Sequence, residues 1–207
     1  MYLPKDFELT DRAAIAGLIS AHPLAVLVAH SDTGLCAHHI PLIMTADRLI
    51  GHIAAGNDLH RDLDDGHDII AIFQGADAYI SPNWYPSKAE THEVVPTWNY
   101  TVAHVHGVIN FHHDQKTKLA AVGQLTQMME QRTNADTAWR MGDAPRAFLA
   151  EKLDGIVAFD IKITRILGKA KLSQNKPEAD RLGAAAGLEA QGTPAVAKAM
   201  RDPDLLR

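Results

Sequence analysis

The chain of 207 residues carries 25 acidic and 20 basic side chains, a net charge of −5 with its twelve histidines neutral. A chain of this length can bury a sizeable core without metal or disulfide support. DNA-binding proteins usually show a basic excess on at least one face, because contacts to phosphates supply most of their affinity, so this composition gives no support to direct binding of nucleic acid.

The chain contains a single cysteine, Cys36, and therefore cannot form an internal disulfide bond. The sequence shows no signal peptide and no apolar run long enough to cross a bilayer. We expect a cytoplasmic protein that works in a reducing setting and has no membrane partner.

The first third of the chain predicts a helix followed by an antiparallel sheet. Thr10 is placed to cap a helix that runs to about His22, where a proline ends it. Ser-Asp-Thr-Gly at 31–34 has the composition of a hairpin turn between two apolar runs. A second turn at 45–48 leads into another strand, and Asn57 is placed to cap a short helix. The predicted strands of this part are 24–29, 35–43, 49–54 and 68–73.

Alternation with a period of two returns in the second half of the chain. From 100 to 111, one face is apolar or small and the other is partly polar, which predicts a half-buried strand. Residues 155–163 alternate in the same way. Helical spacing predicts two helices between these strands, at 114–132 and 145–153. The apolar stripe of the longer helix consists of Leu119, Val122, Leu125 and Met129.

The sequence from Pro177 onward is Ala-rich and helical, with an interruption at 192–194. Buried strands joined by short hairpins, with few helices between them, favour a barrel-type sheet. We predict a mainly β fold with flanking helices. We also predict a division into a domain at 1–170 and a helical appendage at 171–207 that packs on it.

The segment 73–100 holds most of the large polar aromatic side chains. The chain has three Trp and four Tyr, and five of these seven lie in this segment, beside hydroxyl and amide side chains. They are Tyr79, Trp84, Tyr85, Trp98 and Tyr100. Two X-Pro steps hold the chain extended, so the segment predicts an ordered loop between two strands. Such a loop favours a surface that binds a flat polar ligand, and the alternative is a lid that closes one end of a barrel.

Other chemistries gain less support from the sequence. His104 and His106 lie on one face of a predicted strand, and 38–39 and 112–113 are adjacent histidine pairs, which suggests a metal or haem ligand. Neither thiolates nor an HExxH helix accompany them, so surface or interface histidines are the simpler interpretation and no metal site is predicted. There is no GxSxG motif, and Cys36 lies in an apolar strand. Phosphate loops of the Walker or dinucleotide type are also absent, which argues against a hydrolase or a nucleotide triphosphatase.

Several motifs together carry a resemblance to a known family. FQGADAYISPNWY at 73–85 and VPTWNY at 95–100 lie in the aromatic segment. Shorter matches are MYLPKDF at 1–7, HHIPL at 38–42, GHIAAGN at 51–57, GIVAFDI at 155–161 and KLSQNK at 171–176. As a set, these motifs resemble the PaiB-type FMN-binding negative transcriptional regulators, which are related to the flavin-reductase-like split barrels. The link SKAETHE at 87–93 is longer than the usual one in that family.

The resemblance implies an FMN-binding split β-barrel, with the cofactor in a groove between the subunits of a homodimer. An apolar surface around Leu24, Ile40 and Leu42 is compatible with such a dimer. The resemblance also implies a set of flavin contacts, in which Lys171 and Ser173 are expected to reach the phosphate. The implied positions are His38, His52, Asn57, Ser81, Trp84, Trp98, Asn99, Lys171, Ser173, Gln174 and Asn175.

Three functions are compatible with these observations. The first is an FMN-binding homodimeric transcriptional regulator, and the second is a flavin-dependent oxidoreductase of the split-barrel type. The third is a haem-binding or haem-degrading split barrel that uses a histidine pair for axial ligation. Because the basic residues are scattered, we expect DNA binding to be weak and regulation to be indirect. No general acid or base can be assigned from the sequence.

Overall fold

The structure is a computed structural model that describes residues 1–203, so the last four residues of the predicted appendage lie outside it. The chain divides into two compact units. The first unit consists of Met1–His22, Phe73–His104 and the residues from Leu167 onward. The second unit consists of Pro23–Ile72 and Val105–Ile166.

Eight strands form a mainly antiparallel sheet. In chain order they are β1 (Glu8–Leu9), β2 (Leu24–Ser31), β3 (Gly34–Pro41), β4 (Ile43–Met44), β5 (Arg48–Ala54), β6 (His67–Ile80), β7 (Thr97–His112) and β8 (Ile156–Lys171). Hydrogen-bonded neighbours follow the order β3-β2-β6-β7-β8-β5-β4, and β1 pairs separately with β8. Within residues 1–203 this path is not closed, since β3 and β4 stand at its two ends.

Seven helices accompany the strands in the described part of the chain. They are α1 (Arg12–Ala21), α2 (Leu59–Asp62), α3 (Lys88–Thr91), α4 (Gln115–Asn134), α5 (Arg146–Asp154), α6 (Glu178–Ala190) and α7 (Pro194–Arg201). The carboxylate of Asp11 caps α1 by accepting from the amide of Ala13 at 2.9 Å, so the prediction of Thr10 as the cap is wrong by one residue. Among the described residues, none of these helices is long and apolar enough to cross a membrane.

The β2–β3 hairpin of the second unit has the predicted turn. Ser31 pairs with Gly34, which leaves a two-residue loop between the strands. Gly34 has φ 113, a value that residues with a Cβ rarely adopt. Along β2, Ala25, Leu27 and Ala29 are buried while the residues between them are more exposed. The alternation therefore places one face of the hairpin in the core.

The register of this hairpin contradicts part of the apolar surface that was predicted around Leu24, Ile40 and Leu42. Ile40 pairs with Ala25 on the core face and is only 4% exposed, and Leu42 is fully buried. Leu24 is the one residue of the predicted set that lies on the surface, with 59% of its area exposed. The prediction for Ile40 and Leu42 is wrong because both side chains fill the core of their own chain.

A second ladder of this unit joins β5 to β8. It runs from the pair Arg48–Lys162 to the pair Ala54–Ile156. Gly51 lies against Phe159 in this ladder, and a Cβ at Gly51 would stand 2.8 Å from the ring, so no larger residue fits without a shift.

Helix α4 packs against β5, and its predicted stripe is covered only in part. Its buried residues are Lys118 and Ala121, whereas Leu119 and Met129 are exposed. The prediction of the stripe is therefore wrong for these last two residues, and apolar side chains of α4 face solvent.

In the first unit, β8 continues to Lys171, well beyond its predicted end at 163. The residues past 163 do not alternate between buried and exposed, so the pattern gives no strand signal there. The extension pairs with β1, where Leu9 faces Gly168. A Cβ at Gly168 would lie 2.6 Å from the carbonyl oxygen of Leu9, so the glycine permits the close approach. Tertiary pairing, and not local pattern, sets the length of this strand.

The C-terminal helices pack within the first unit. Helix α6 buries Ala184, Ala185 and Leu188, and α7 buries Val196, Ala197 and Met200. Arg201 joins the two helices through two hydrogen bonds to the carboxylate of Glu189, at 2.9 and 2.6 Å. The predicted helical tail and its break before Pro194 are confirmed, whereas the division at residue 170 stays a prediction.

Asp160 is a nearly buried carboxylate that connects three strands of the second unit. It is 8% exposed, and it accepts from Arg48 Nη1 of β5 at 2.5 Å and from His112 Nε2 of β7 at 2.7 Å. Arg48 also faces Asp47, at 3.9 Å and near solvent. Buried hydrogen bonds to a charged group contribute more to stability than exposed ion pairs, so the two carboxylates should differ in importance.

We predict that Asp160→Asn lowers the free energy of unfolding by about 1–3 kcal/mol, because the amide cannot accept from both partners as the carboxylate does. Urea unfolding followed by circular dichroism measures the change. Asp47→Asn is the matched control, since it removes an exposed partner of the same arginine, and it should change the free energy by less than about 0.5 kcal/mol. Equal effects of the two substitutions would contradict the conclusion that the buried Asp160 stabilises the fold more than the exposed Asp47.

Candidate functional site

Two aromatic rings of the first unit stand on the surface where β6 and β7 carry the aromatic segment. Trp98 is 51% exposed and Tyr79 is 48% exposed. Their ring centroids are 6.0 Å apart with an interplanar angle of 64°, an edge-to-face arrangement. Trp98 Nε1 donates to Asp77 Oδ1 at 2.8 Å, which fixes the orientation of the indole. The result is an oriented, exposed aromatic face.

Lys171 supplies a cation next to this face. Its Nζ donates to the carbonyl oxygen of Trp98 at 2.9 Å and to the hydroxyl of Thr97. Burial lowers the pKa of Lys171, and the nearby Lys169 contributes in the same direction. An anionic group bound beside Lys171 would restore the balance of charge, so the geometry suits a planar ligand with a negative group.

Asn99 and Ser173 are both predicted flavin contacts, and the structure brings them together in the interior. Asn99 is fully buried and Ser173 is 3% exposed. Asn99 Nδ2 donates to Ser173 Oγ at 2.9 Å and lies 3.3 Å from the sulfur of Met200 on α7. Ser173 has φ 65, in the left-handed region. These side chains hold the ends of β7 and β8 together, and their burial separates them from surface ligands.

The last two residues of the KLSQN stretch differ in their contacts and exposure. Gln174 accepts from the amide of Leu172 at 2.7 Å and donates to the carbonyl of Ala170 at 2.6 Å, so both ends of its amide group are used within the chain. Asn175 is exposed. Of the predicted phosphate ligands, only Lys171 has a side chain that is accessible in part.

Trp84 is half-buried, with its indole packed against helix α6. A Cβ at Gly187 would clash with the indole, which shows how closely the ring packs on that helix. Ser81 accepts from the amide of Asn83 at 3.2 Å and so caps the short 3₁₀ turn Pro82–Trp84. Both predicted contacts therefore have structural partners in the first unit.

The aromatic segment is thus not uniformly a surface. Tyr85 is 2% exposed, and burial raises its pKa. Next to it, Ser87 donates from its amide and its hydroxyl to the buried carboxylate of Asp180 on α6, at 3.1 and 2.7 Å. The extra link at 87–93 includes the short helix α3. These contacts fasten the segment 84–91 to α6, which explains why only part of it is open.

Three predicted contacts lie in the second unit. His38 is half-buried on β3, opposite Leu27. His52 lies on β5 opposite Ala158, and burial lowers its pKa, so the neutral ring is favoured. Its Nδ1 is buried and has no hydrogen-bond partner among residues 1–203. Asn57 Oδ1 accepts from the amide of Leu59 at 2.9 Å, but the N-cap position of α2 is Asp58, so the prediction of Asn57 as the cap is wrong by one residue.

The histidine pairs do not assemble into a metal centre in the described part of the chain, where no group of three or more His, Cys, Asp or Glu side chains is placed to hold an ion. His106 lies beside Arg165, with ring nitrogens 3.2 and 3.4 Å from the guanidinium. Burial lowers the pKa of His106, and the positive charge of Arg165 adds to the effect.

Three residues of the exposed face were not in the predicted set, namely Tyr79, Asp77 and Thr97. Alternation along β6 gives the signal that could have found two of them, because Asp77 and Tyr79 are both exposed while Ala78 and Ile80 are buried. Thr97 gives no such signal, since its role comes from a contact with a lysine distant in sequence.

Comparison with known proteins agrees with this picture. Residues 1–165 match the family described as "Putative FMN-binding domain". The chain is 32% identical over 199 residues to "Protease synthase and sporulation protein PAI 2" of Bacillus subtilis (strain 168), an alignment that covers 94% of this chain and 92% of that protein. It is 27% identical over 233 residues to an uncharacterized protein of Emericella nidulans, with 94% and 93% of the two chains covered.

Two solved structures share the fold. One is the FAD and heme binding protein from Mycobacterium smegmatis, with a TM-score of 0.59, 19% identity, and coverage of 79% of this chain and 73% of that chain. The other is the flavocytochrome Anf3 from Azotobacter vinelandii, with a TM-score of 0.58, 13% identity, and coverage of 77% and 67%. The predicted fold class, mainly β with flanking helices in the split-barrel manner, is confirmed. The prediction of a flavin cofactor is confirmed by the family match, and this chain belongs to the family of FMN-binding domains.

Proposed function

We propose that the protein binds FMN on the face formed by Trp98, Tyr79 and Lys171, and that it regulates gene expression indirectly through the bound flavin. The observation that carries the proposal is the exposed indole of Trp98, fixed by Asp77 and flanked by a lysine ammonium. An aromatic face beside a cation matches the two chemical parts of FMN, a planar ring system and a phosphate.

Each group of this face has a distinct task in the proposal. The indole of Trp98 stacks on one side of the flavin, and Tyr79 limits the position of the ring from its edge. Lys171 neutralises the phosphate, and Thr97 keeps the lysine side chain in place. When bound, the flavin supplies reversible redox chemistry. The protein groups bind and orient it.

The buried predicted contacts act indirectly in this proposal. Asn99 follows Trp98 in the chain, and Ser173 lies two residues after Lys171, so the hydrogen bond between them sets the spacing of the two groups that touch the ligand. Gln174 fixes the turn that follows β8. They are positioning residues.

The three predicted contacts of the second unit differ in how free their polar atoms are to bind a ligand. His52 retains a buried ring nitrogen without a partner within residues 1–203, which gives it unused capacity for a polar ligand atom. Asn57 uses its oxygen at the start of α2. For His38, no contact in the structure distinguishes a binding role from a structural one.

The regulatory part of the proposal rests on the relative named for protease synthesis and sporulation. The proposed homodimer has support from the surface of the β2–β3 hairpin. Leu24 and Leu35 are 59% and 79% exposed there, and β3 stands at an end of the sheet path. Exposed leucines on the outermost hairpin of the sheet favour contact with another chain.

The first test is the affinity for FMN. We predict that Trp98→Leu weakens FMN binding roughly tenfold, because aromatic stacking and the buried ring area are both lost. We also predict that Lys171→Met weakens FMN by about 10–100-fold and leaves riboflavin unchanged, because riboflavin lacks the phosphate. Flavin fluorescence titration measures all of these affinities.

Trp139→Leu and Lys198→Met are matched controls, since both residues are exposed and belong to segments that carry no group of the proposed face. Both variants should bind FMN like the wild-type protein. Equal affinity of the wild-type protein for FMN and riboflavin would show that Lys171 does not contact the phosphate. Failure of the wild-type protein to bind FMN would overturn the proposal.

The second test is the oligomeric state. We expect a dimer by light scattering at micromolar concentration, and we expect the double variant Leu24→Glu, Leu35→Glu to become monomeric because two charges would be buried in the interface. The double variant Leu119→Glu, Met129→Glu changes exposed apolar residues of α4 and is the control that should stay dimeric. A monomeric wild-type protein would exclude the dimer.

The third test separates indirect from direct regulation. With a net charge of −5, the protein should show no sequence-specific DNA binding by fluorescence anisotropy at physiological salt, with or without FMN. Tight, specific binding would refute the indirect model. Steady oxidation of NADH or NADPH by the FMN complex, without DNA binding, would instead favour the flavin-dependent oxidoreductase.

A further inference from the structure

A second lysine of the first unit lies two residues before Lys171 on β8. Lys169 is 6% exposed, and its Nζ donates to the carbonyl oxygen of Tyr2 at 3.2 Å. The same ammonium lies 5.2 Å from the ring centroid of Tyr100 and 5.8 Å from that of Tyr2. Within residues 1–203, the contacts of this nearly buried charge are therefore with neutral groups.

Neither lysine has an acidic partner in the described part of the chain. No carboxylate oxygen among residues 1–203 lies within 4.0 Å of the ammonium of Lys169 or Lys171. Glu8 pairs with Lys169 across the β1–β8 ladder, but it is exposed and forms no ion pair with it. Because the burial of a charge is costly, buried lysines usually have an opposite charge beside them. This end of β8 is thus a place where two positive charges favour an anion.

The ring of Tyr2 adds a planar surface next to these charges. It is 84% exposed, the largest exposed fraction of any large apolar or aromatic side chain in residues 1–203. Lys169 fixes its position, because the ammonium contacts both the carbonyl oxygen and the ring. Exposed aromatic rings beside cations are typical surfaces for the stacking of nucleic bases. Trp98 and Tyr79 have tasks in the function proposed above, whereas Tyr2 has none there.

We propose that the site takes a dinucleotide form of the flavin, FAD, with its diphosphate along Lys171 and Lys169 and its second base stacked on Tyr2. This inference rests on the proposed flavin face of Trp98 and Lys171 and extends it. Lys171 contacts the backbone of Trp98, and Lys169 contacts Tyr2. The chain therefore offers a ring, two cations and a second ring, which is the order of flavin, diphosphate and base in FAD.

The spacing of the two lysines fits a diphosphate. Two residues of a strand span about 7 Å, so an anionic group that reaches from one lysine to the other gains from both charges. Lys169 acts without direct contact, because the charge of a nearly buried ammonium is screened little by water. FMN has one ring system and one phosphate and would leave Tyr2 unused. A separate nucleotide would compete with FMN for Lys171, which favours a single ligand that carries both halves.

Isothermal titration calorimetry with FAD and FMN on the full-length protein tests the inference. We expect FAD to bind at least tenfold more tightly than FMN. Tyr2→Leu removes an exposed stacking surface, so it should weaken FAD about tenfold and leave FMN unchanged. Lys169→Met should also weaken FAD about tenfold, since it removes one charge and the contact that fixes Tyr2.

Phe148→Leu and Lys198→Met are the matched controls. Phe148 is a 49% exposed ring with the ammonium of Lys152 5.1 Å from its centroid, and Lys198 is an exposed lysine of α7. Both variants should bind FAD and FMN like the wild-type protein.

ADP lacks the flavin and probes the second half of the site by itself. We expect saturable binding of ADP that Tyr2→Leu weakens about tenfold and Trp98→Leu leaves unchanged. Equal wild-type affinities for FAD and FMN would overturn the inference and leave the proposed FMN face intact. Wild-type affinity for FAD in Tyr2→Leu would also overturn it. Failure to bind either flavin would overturn the function proposed above together with this extension.

Discussion

The hydrogen bond between Asn99 and Ser173 is the contact on which the geometry of the first unit depends. The bond joins the start of β7 to the turn after β8, and both side chains are inaccessible to water. Ser173 adopts a left-handed backbone, which costs about 1 kcal/mol for a residue with a Cβ and persists only where the surroundings require it. A buried amide that loses this partner would be left unsatisfied, so neither residue can change alone.

The same turn brings the exposed groups into position. Trp98 and Asn99 are adjacent on β7, so alternation turns the indole outward and the amide inward. Lys171 is the last residue of β8, and the left-handed backbone of Ser173 lies in the turn that follows, where the hydroxyl meets Asn99. In the function proposed above, this buried pair aligns Trp98 and Lys171, because a ligand site needs rigid support as well as direct contacts.

Helix α6 gives the aromatic segment a second support. Asp180 binds the backbone and hydroxyl of Ser87, while Gly187 lies directly under the indole of Trp84. The segment 84–91 therefore behaves as part of a packed layer and not as a free loop. The C-terminal helices also take part in the interior through Met200, which touches Asn99. Their contribution explains why they group with the aromatic segment in one compact unit.

Local patterns and motifs predicted much of this protein. Turn chemistry predicted the β2–β3 hairpin, alternation predicted the burial of one face of β7, and the motifs predicted the family and its flavin, because periodicity and turn chemistry act over a few residues. The sequence could not separate Trp98, which is exposed, from Trp84, which lies against α6, since the contact with α6 joins residues far apart in the chain. It could not show that Ile40 and Leu42 belong to the core, nor that β8 extends to Lys171 through its pairing with β1. The sequence by itself determined which residue types were present for a planar anionic ligand. Only the tertiary structure decided which of these residues are buried against one another and which are exposed, because burial depends on contacts between residues far apart in the chain.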